Sequence, residues 1–459
     1  MSRYFTFETK NGNEYIYNDL DGTISPLEIS KSKKIEYDCI EEFEKNYNRV
    51  MNKGYIANWV NEYYNGNGFK QLNLIITEEC NLRCKYCSFS GEYDNMRIHS
   101  SNKMSFITAR KAVDLYLKHF IKIKRRNLFL KPSVTFFGGE PLLEFELIKN
   151  IVEYMKKIYP TEILFSFTTN GTILNKEIIN FLIENKFHVV FSLNGDKNEH
   201  DRLRVRKNGN GTFDKIYDNF KKIADIDLQY FNENCNVLAC YDTGTDMFGL
   251  KDFFSNEKKY IPKLSRINKI NGSYTNWYSR YSEDQRKQYI NSCEVLKNEY
   301  FKFLNTSNIN EETEFNKYFF EIPLRMLFFR PQNNKQNNPI LPFSASCIPG
   351  DKISVSTAGK IYCCERVNYT FDIGDVDNGI NLENISYMLI KYWDSILKKC
   401  FNCPMTRFCT FCYAIFNTKE GFDRDPNNIC ENKFKKVKEE ITDLWGMFED
   451  GLGEKQFVR

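Results

Sequence analysis

Apolar and polar positions change period several times along the chain. Residues 4–9 and 14–17 alternate apolar and polar on either side of Lys10-Asn11-Gly12-Asn13, which predicts a hairpin. A second turn at Asp21-Gly22 leads into a short extended segment at Thr23-Ile24. Ile40, Phe43, Tyr47 and Val50 recur at spacings of three and four, predicting a helix over 39–51, and 56–64 predict another. From there the pattern becomes regular. Apolar extended runs at 72–76, 133–137, 163–168, 188–193, 236–239 and 264–270 are separated by helical runs such as 108–120, 145–158 and 176–185. Strands alternating with amphipathic helices are the pattern of parallel βα units. Six strands without a seventh predict an α/β fold built on a partial (β/α)6 barrel. Near the end, Phe434, Val437, Ile441 and Leu444 share one side of a helix over 433–445, a packing face.

Composition narrows the function. A chain of 459 residues can hold several domains. Its net charge of +4, from 64 basic and 60 acidic residues, includes no concentrated basic face, so no nucleic-acid partner is expected. No run of about 18 apolar residues exists to span a membrane, and no secretory signal is visible, so a cytoplasmic location is expected. In that compartment, 15 cysteines point to metals rather than disulfides. Cys80, Cys84 and Cys87 form one group; Cys347, Cys363, Cys364, Cys400, Cys403, Cys409, Cys412 and Cys430 form another. Cys39, Cys235, Cys240 and Cys293 stand apart and read as small buried hydrophobes.

The first group lies in Glu79-Cys80-Asn81-Leu82-Arg83-Cys84-Lys85-Tyr86-Cys87, just after the first predicted barrel strand. The carboxyl end of a strand is where parallel α/β folds bind ligands. Three close thiolates suit a soft metal, and three ligands on a four-iron cluster leave one iron open; a zinc knuckle short of one ligand is the alternative. Later strand ends carry Phe136-Phe137-Gly138-Gly139-Glu140-Pro141, Thr168-Thr169-Asn170-Gly171-Thr172 and Ser192-Leu193-Asn194-Gly195-Asp196. His200-Asp201-Arg202-Leu203-Arg204 and Gly209-Asn210-Gly211-Thr212-Phe213 follow. Together these resemble the radical S-adenosylmethionine (SAM) superfamily, and the resemblance implies its TIM-like barrel. It also implies that Cys80, Cys84 and Cys87 hold a 4Fe–4S cluster whose open iron chelates SAM and cleaves it to a 5′-deoxyadenosyl radical. Gly138, Gly139 and Glu140 would meet the amino group of SAM, and Ser192 would contact SAM. Arg204 would hold the carboxylate, a bidentate task suited to a guanidinium, with Tyr86 and Asn170 in the same cofactor site. His200 and Asp201 stay open between structural and catalytic roles. Many relatives carry Asp where this chain has Asn194.

After Cys87, the run Ser88-Phe89-Ser90-Gly91-Glu92-Tyr93, with Arg97-Ile98-His99-Ser100 and Met104-Ser105 beyond it, is similar to the corresponding loop of thioether-forming peptide maturases. The second cysteine group resembles the SPASM extension, which binds two auxiliary 4Fe–4S clusters, for three clusters in all. By position, one takes Cys400, Cys403, Cys409 and Cys430; the other takes Cys347, Cys412 and one or both of Cys363 and Cys364. Adjacent side chains diverge in an extended chain, so this second cluster is expected to have an open iron able to bind a substrate thiolate. The usual pattern ends with three residues between its last cysteines, where this chain has two, between Cys409 and Cys412. Residues 1–70, strands then helices, look like a small α+β (RRE-like winged-helix) element that holds the leader of a precursor peptide by strand addition; a capping subdomain is the alternative. The expected division is 1–70, a barrel over 71–335 and a SPASM domain over 336–459. The resemblance implies a sactipeptide- or ranthipeptide-type maturase that forms thioether crosslinks in a Cys-containing precursor peptide, with an electron donor such as flavodoxin or ferredoxin. Formylglycine formation is the alternative within enzymes, and needs a carboxylate base for which Glu365 is the candidate. Carbon–carbon crosslinking, epimerisation and a non-catalytic zinc scaffold also stay open.

Overall fold

The structure, a computed structural model, describes residues 3–28, 53–67, 69–124, 127–256, 259–306, 312–330, 351–423 and 428–452. The helix predicted over 39–51 and Cys347 lie outside the described residues.

The chain opens with three antiparallel strands, β1 (Tyr4–Glu8), β2 (Glu14–Asn18) and β3 (Thr23–Pro26), and a helix, α1 (Lys53–Asn67). The hairpin register pairs Glu8 with Glu14 across the predicted turn. The barrel then runs as β4 (Gln71–Thr77), α2 (Phe106–Lys124), β5 (Ser133–Gly138), α3 (Phe145–Ile158), β6 (Leu164–Thr169), α4 (Lys176–Glu184), β7 (His188–Ser192), α5 (Lys197–Leu203), α6 (Phe213–Ile226), β8 (Cys235–Tyr241), α7 (Met247–Ser255) and β9 (Lys263–Lys269). These are the six strands that the hydrophobic pattern predicts, all parallel to their neighbours.

The sheet does not stop there. A short hairpin from the second cysteine region, β10 (Lys352–Val355) and β11 (Ile361–Tyr362), joins the β4 edge, giving the order β11-β10-β4-β5-β6-β7-β8-β9. β10 runs parallel to β4, with Ile353 opposite Leu72. The pattern missed this hairpin because a four-residue and a two-residue strand carry too few positions to show a period.

Burial alternates along the barrel strands. On β5, Val134 and Phe136 pack under the helices while Ser133, Thr135 and Phe137 face inward; β8 alternates likewise. A polar layer crosses the inner face, where Gln71 Nε2 donates to Thr135 Oγ1 and Thr135 hydrogen-bonds Ser166 Oγ. Parallel strands buried on both faces read as continuous hydrophobic runs. The alternation here marks an interior that is partly open.

Two cores organise the molecule. The larger holds the barrel, α1 and α9 (Leu382–Tyr392), the latter following the long helix α8 (Glu283–Thr306). The smaller is built on Phe5, Phe7 and Tyr17 from the amino-terminal sheet and Val437, Ile441 and Leu444 from α10 (Ile429–Glu449). Within residues 1–70, therefore, the sheet and α1 pack in different cores. A buried latch fixes the sheet. Asp19, with no exposed surface, accepts from Arg3 Nη2, the Tyr17 hydroxyl and the Arg407 backbone N–H, and is also bonded to the Thr406 hydroxyl. Arg407 donates on to the Asp19 and Leu20 carbonyls. At the other end, Glu449 accepts from Thr9, Asn11, Asn13 and Tyr15. Among the described residues no helix is long and apolar enough to cross a membrane.

Removing the Asp19 carboxylate deprives the buried Arg3 guanidinium of its counter-ion, and breaking a buried pair in that way costs about 3 kcal/mol or more. Asp19→Ala should therefore lower stability by about that amount in a denaturant melt, with Asp19→Asn losing less. Equal, negligible losses in both would show that the latch contributes nothing.

Candidate active site

The site is assembled where β4 to β7 end. β4 stops at Thr77, and Gly138 and Gly139 then cross it at backbone contact. A Cβ on Gly138 would lie 2.0 Å from the Thr77 carbonyl oxygen, and one on Gly139 would lie 2.1 Å from that of Glu79. Gly138 also has a φ of +154°. No other residue fits this passage. It lets Gly139 N–H donate to Thr77 O at 3.0 Å and Glu140 N–H donate to Glu79 O at 2.9 Å, joining β5 to the backbone just before Cys80.

Glu140 is buried, and its carboxylate is taken up by the protein. It accepts from the Leu142 and Asn170 backbone N–H groups and from the Thr169 hydroxyl, at 3.1, 2.7 and 2.7 Å. The acid of this motif thus ties the end of β5 to the end of β6. Asn170 continues the chain: its amide donates to Asn81 Oδ1 inside the cysteine loop, and its own oxygen accepts from Thr172. Ser192 closes β7 as a buried residue.

The segment after α5 is stitched onto the cysteine loop from the other side. Arg83 N–H donates to Val205 O and Lys85 N–H to Leu203 O, at 2.8 and 2.9 Å, so Arg204 is held between two bonds opposite Cys84. Its Nη1 donates to the Tyr86 hydroxyl at 2.7 Å, which in turn bonds Asn194 Oδ1 at 3.3 Å. Burial pulls the Arg204 pKa down, but the Cys84 thiol and Tyr86 phenol outweigh it, and the net shift is upward.

His200 and Asp201 have positioning roles. His200 Nδ1 accepts from the Asn194 backbone N–H, and its Nε2 pairs with Thr212 Oγ1, which donates to the Arg204 carbonyl. Burial and the Arg204 charge hold this imidazole neutral. Asp201 Oδ1 accepts from the Thr212 and Phe213 N–H groups, capping α6, and a Cβ on Gly211 would lie 2.1 Å from Asp201 Cγ. Together these bonds fix the segment after α5 that bears Arg204.

Sequence reasoning left Cys240 without chemistry, yet its backbone N–H donates to Asn194 Oδ1 at 3.1 Å and its thiol lies beside Tyr86 and Arg204. Its place at the end of β8, as for the other site residues at their strand ends, was the signal that could have found it. The loop after Cys87 folds back on β4: Glu78 N–H donates to Asn102 O, Met104 N–H to Ile76 O, and the Tyr93 hydroxyl to Tyr86 O.

The residues fit a 4Fe–4S cluster and SAM on several grounds. A cavity of about 630 Å³ opens beside the cysteine loop, bordered by Cys84, Cys87, Phe89 and His99, and is not lined by Glu140, Ser192 or Arg204. Arg204 Nε and Asn194 Nδ2 are buried donors without a partner in the protein, as an incoming acceptor requires. Burial pushes the Cys80 thiol up to about 12 and raises that of Cys87. Such thiols become ligands only against a positive metal centre. Among the described residues no three such side chains converge to hold a single ion.

Cysteines of the second group lie around two buried phenols. Cys400, Cys409, Cys412 and Cys430 lie within electrostatic reach of the buried Tyr392 hydroxyl, and Cys403 lies within reach of Cys430. The Tyr413 hydroxyl is within reach of Cys363, Cys364 and Cys412. Both phenols are buried without a hydrogen-bond partner. Cys363 and Cys364, just after β11, point apart: Cys363 Sγ packs on Met388 Sδ at 3.9 Å in the core, while Cys364 Sγ meets Glu365 Oε2 at 3.4 Å. Glu365 is itself buried and accepts from Asn73 Nδ2 at 2.6 Å and from Lys352.

Gly139→Ala should displace the cysteine loop. The reconstituted variant is expected to lose about four iron atoms per chain and most SAM cleavage while staying folded; full iron content would show that the loop tolerates the methyl.

Residues 74–239 match the Radical SAM superfamily. The chain is 29% identical over 210 residues to a cysteine-type anaerobic sulfatase-maturating enzyme of Clostridium novyi, an overlap of 43% of this chain and 53% of the relative, so it spans about half of that relative's length. It is 23% identical over 376 residues to the radical SAM cyclopropyl synthase TigE of Paramaledivibacter caminithermalis, covering 79% of this chain and 71% of that protein. Over 250 residues it is 30% identical to the uncharacterized protein MJ0907 of Methanocaldococcus jannaschii, 50% of this chain and 81% of the relative. The fold is shared with native anSMEcpe with bound AdoMet and Cp18Cys peptide, at a TM-score of 0.58 and 18% identity over 83% of this chain and 98% of that one. The matched span begins inside β4 and ends inside β8, so it contains the strand ends that build this site, and the chain belongs to the radical SAM superfamily of enzymes that use SAM and a 4Fe–4S cluster.

Proposed function

We propose that this enzyme modifies a Cys-containing precursor peptide, joining the cysteine sulfur to a carbon of another residue as a thioether. The observation that carries this reading is the divergence of Cys363 and Cys364. With Cys363 turned into the core against Met388, Cys364 is the member of the pair free to join an auxiliary cluster. Cys364, Cys412 and Cys347 then make three protein ligands and leave one position for a substrate thiolate; Cys400, Cys403, Cys409 and Cys430 hold the second auxiliary cluster.

When bound, SAM with its cluster supplies hydrogen-atom abstraction from carbon, and the auxiliary clusters supply an electron sink. The chain's own residues set the geometry. Arg204 and Tyr86 orient the carboxylate end of SAM, and Gly138 and Gly139 hold the cysteine loop against β5 beside it. Glu365 is the acceptor for the thiol proton at Oε2. Burial pushes its carboxyl up, but Lys352, at 2.8 Å, holds the net shift below the ordinary value, so it stands ionised at neutral pH. The product replaces one C–H and one S–H with a C–S bond, so the peptide loses two hydrogens.

Formylglycine formation is the second reading. It is favoured by the likeness to the Clostridium novyi enzyme and by the burial of Glu365, which its neighbours in the chain do not foreshadow. The two chemistries part in the product, since formylglycine replaces the cysteine sulfur with oxygen.

Co-expression with a cysteine-containing peptide encoded beside this chain, followed by mass spectrometry, is expected to show a loss of two hydrogens per crosslink with sulfur retained and the thiol no longer alkylated. Loss of sulfur would transfer the assignment to formylglycine formation, and an unchanged mass with enzyme that cleaves SAM would sink both. Cys363→Ala is expected to keep its full iron content and crosslinking, whereas Cys364→Ala loses crosslinking; the reverse order would overturn the ligand assignment.

A further inference from the structure

Arg97 lies in the loop that follows the first cysteine group. It is only 8% exposed, and none of its three guanidinium nitrogens has a hydrogen-bond partner. The planar group lies over the Phe89 ring, 3.8 Å from its centroid, with Phe137 at 6.0 Å and Tyr369 at 5.9 Å. Phe137 is the inward-facing residue at the end of β5, and Tyr369 comes from the second cysteine region. The guanidinium therefore sits at the seam between the barrel mouth and that region.

Stacking on aromatic faces holds a cation but satisfies none of its five N–H donors. The nearby acids do not satisfy them either. Glu78 lies within electrostatic reach, but its carboxylate accepts from the Tyr369 hydroxyl, Ser100 Oγ and Asn102 Nδ2. Glu365 is bonded to Asn73 and Lys352. A buried group left in this state costs more than one that is bonded. Its retention calls for an oxygen acceptor that arrives from outside the chain.

The surroundings favour one kind of acceptor. Glu78 and Glu365 already supply negative charge around Arg97, so a further carboxylate would be repelled. The neighbourhood also holds buried acceptors that lack a donor: Asn95 Oδ1, two residues before Arg97, and Asn73 Oδ1, on the side chain that donates to Glu365. Unmet donors beside unmet acceptors are the complement of a main-chain amide, which offers both a C=O and an N–H.

We infer that Arg97, stacked on Phe89, is a substrate-binding residue that takes main-chain carbonyl oxygens of the peptide as it passes between the SAM site and Cys364. This rests on the peptide reading above and specifies how that peptide is held. Arg97 positions substrate in this scheme, and it serves neither SAM nor the cluster.

The test uses anaerobically reconstituted holoenzyme with SAM and, as probe, a fluorescein-labelled, amidated copy of the co-encoded cysteine peptide. Arg97→Met keeps a stem of similar length over Phe89 and removes every donor. It is expected to weaken peptide binding by about ten- to a hundredfold. Iron content, the electron paramagnetic resonance signal of the reduced SAM cluster and peptide-independent SAM cleavage should stay at wild-type values. Because no hydrogen bond is lost in the peptide-free protein and the methionine stem keeps the packing on Phe89, the variant should melt at about the wild-type temperature. Arg97→Lys, which keeps the charge but loses the planar fork, should fall between the two. Wild-type affinity in Arg97→Met overturns the inference, as does an altered cluster signal with unchanged affinity, which would make Arg97 a cluster residue. A lowered melting point without peptide would make it structural and overturn it too. A wild-type enzyme that neither binds nor modifies the probe removes the peptide reading itself. One that modifies the probe with Arg97→Met equally competent removes only the role of Arg97 in holding the peptide.

Discussion

Everything at this site depends on two stretches of backbone passing closer than a side chain permits. Gly138 and Gly139 run against the carbonyls of Thr77 and Glu79, and the resulting hydrogen bonds fix the cysteine loop relative to β5. From that contact the order spreads outward. Glu140 ties β5 to β6, Asn170 ties β6 back to Asn81, and the loop is thereby held from below by three strand ends. Arg83 and Lys85 hold it from above, through the carbonyls that flank Arg204. The loop has little regular structure of its own, so its geometry is imposed on it, which is how a constellation becomes preorganised.

Making space and placing charge are separate tasks here, and different residues perform them. Glycines create the approach. Buried polar groups such as Glu140 and His200 are bonded to backbone N–H groups and hydroxyls of the neighbouring segments, and Asp201 caps α6. Among the described residues, the buried donors around this site with unmet capacity include Arg204 Nε, Asn194 Nδ2 and the whole guanidinium of Arg97. Since most buried polar groups in folded chains are bonded, this division separates scaffold from ligand-facing residues more sharply than motif membership does. By that measure Asn194, which departs from the residue many relatives carry, keeps an amide N–H without a partner, while Glu140 braces β5 against β6.

How much of this was legible in the chain follows from the range over which each signal acts. The six barrel strands and their helices show as local periodicity, and the strand-end motifs are local too, so both could be read directly. The divergence of Cys363 and Cys364 was readable from the alternation of an extended chain. What escaped reading needs contacts distant in sequence. The β10–β11 hairpin is too short to carry a period. Asp19 meets Arg407 across 388 positions, and nothing near Asp19 announces a buried carboxylate. Nothing near Glu365 in the chain announces its burial, yet Asn73, 292 positions earlier, donates to it. Cys240 was set aside because its neighbours in sequence are unremarkable; its neighbours in space are Tyr86 and Asn194.

The β10–β11 hairpin has the largest consequence for chemistry. It ties Cys363 and Cys364 to the sheet that leads into the first cysteine group, since β10 pairs with β4, whose far end leads to Cys80, while Cys363 and Cys364 follow β11 directly. Their separation from the first group is set by strand geometry rather than by a linker, and a sheet with packed faces is stiff. A substrate that must address both groups therefore meets a fixed span and has to conform to it. Such a span suits an extended peptide, whose repeat along the chain is itself regular, better than a compact molecule. Under the peptide reading proposed above, Arg97, stacked on Phe89 with Tyr369 on the other side of the seam, is the group placed to hold a main chain along that span.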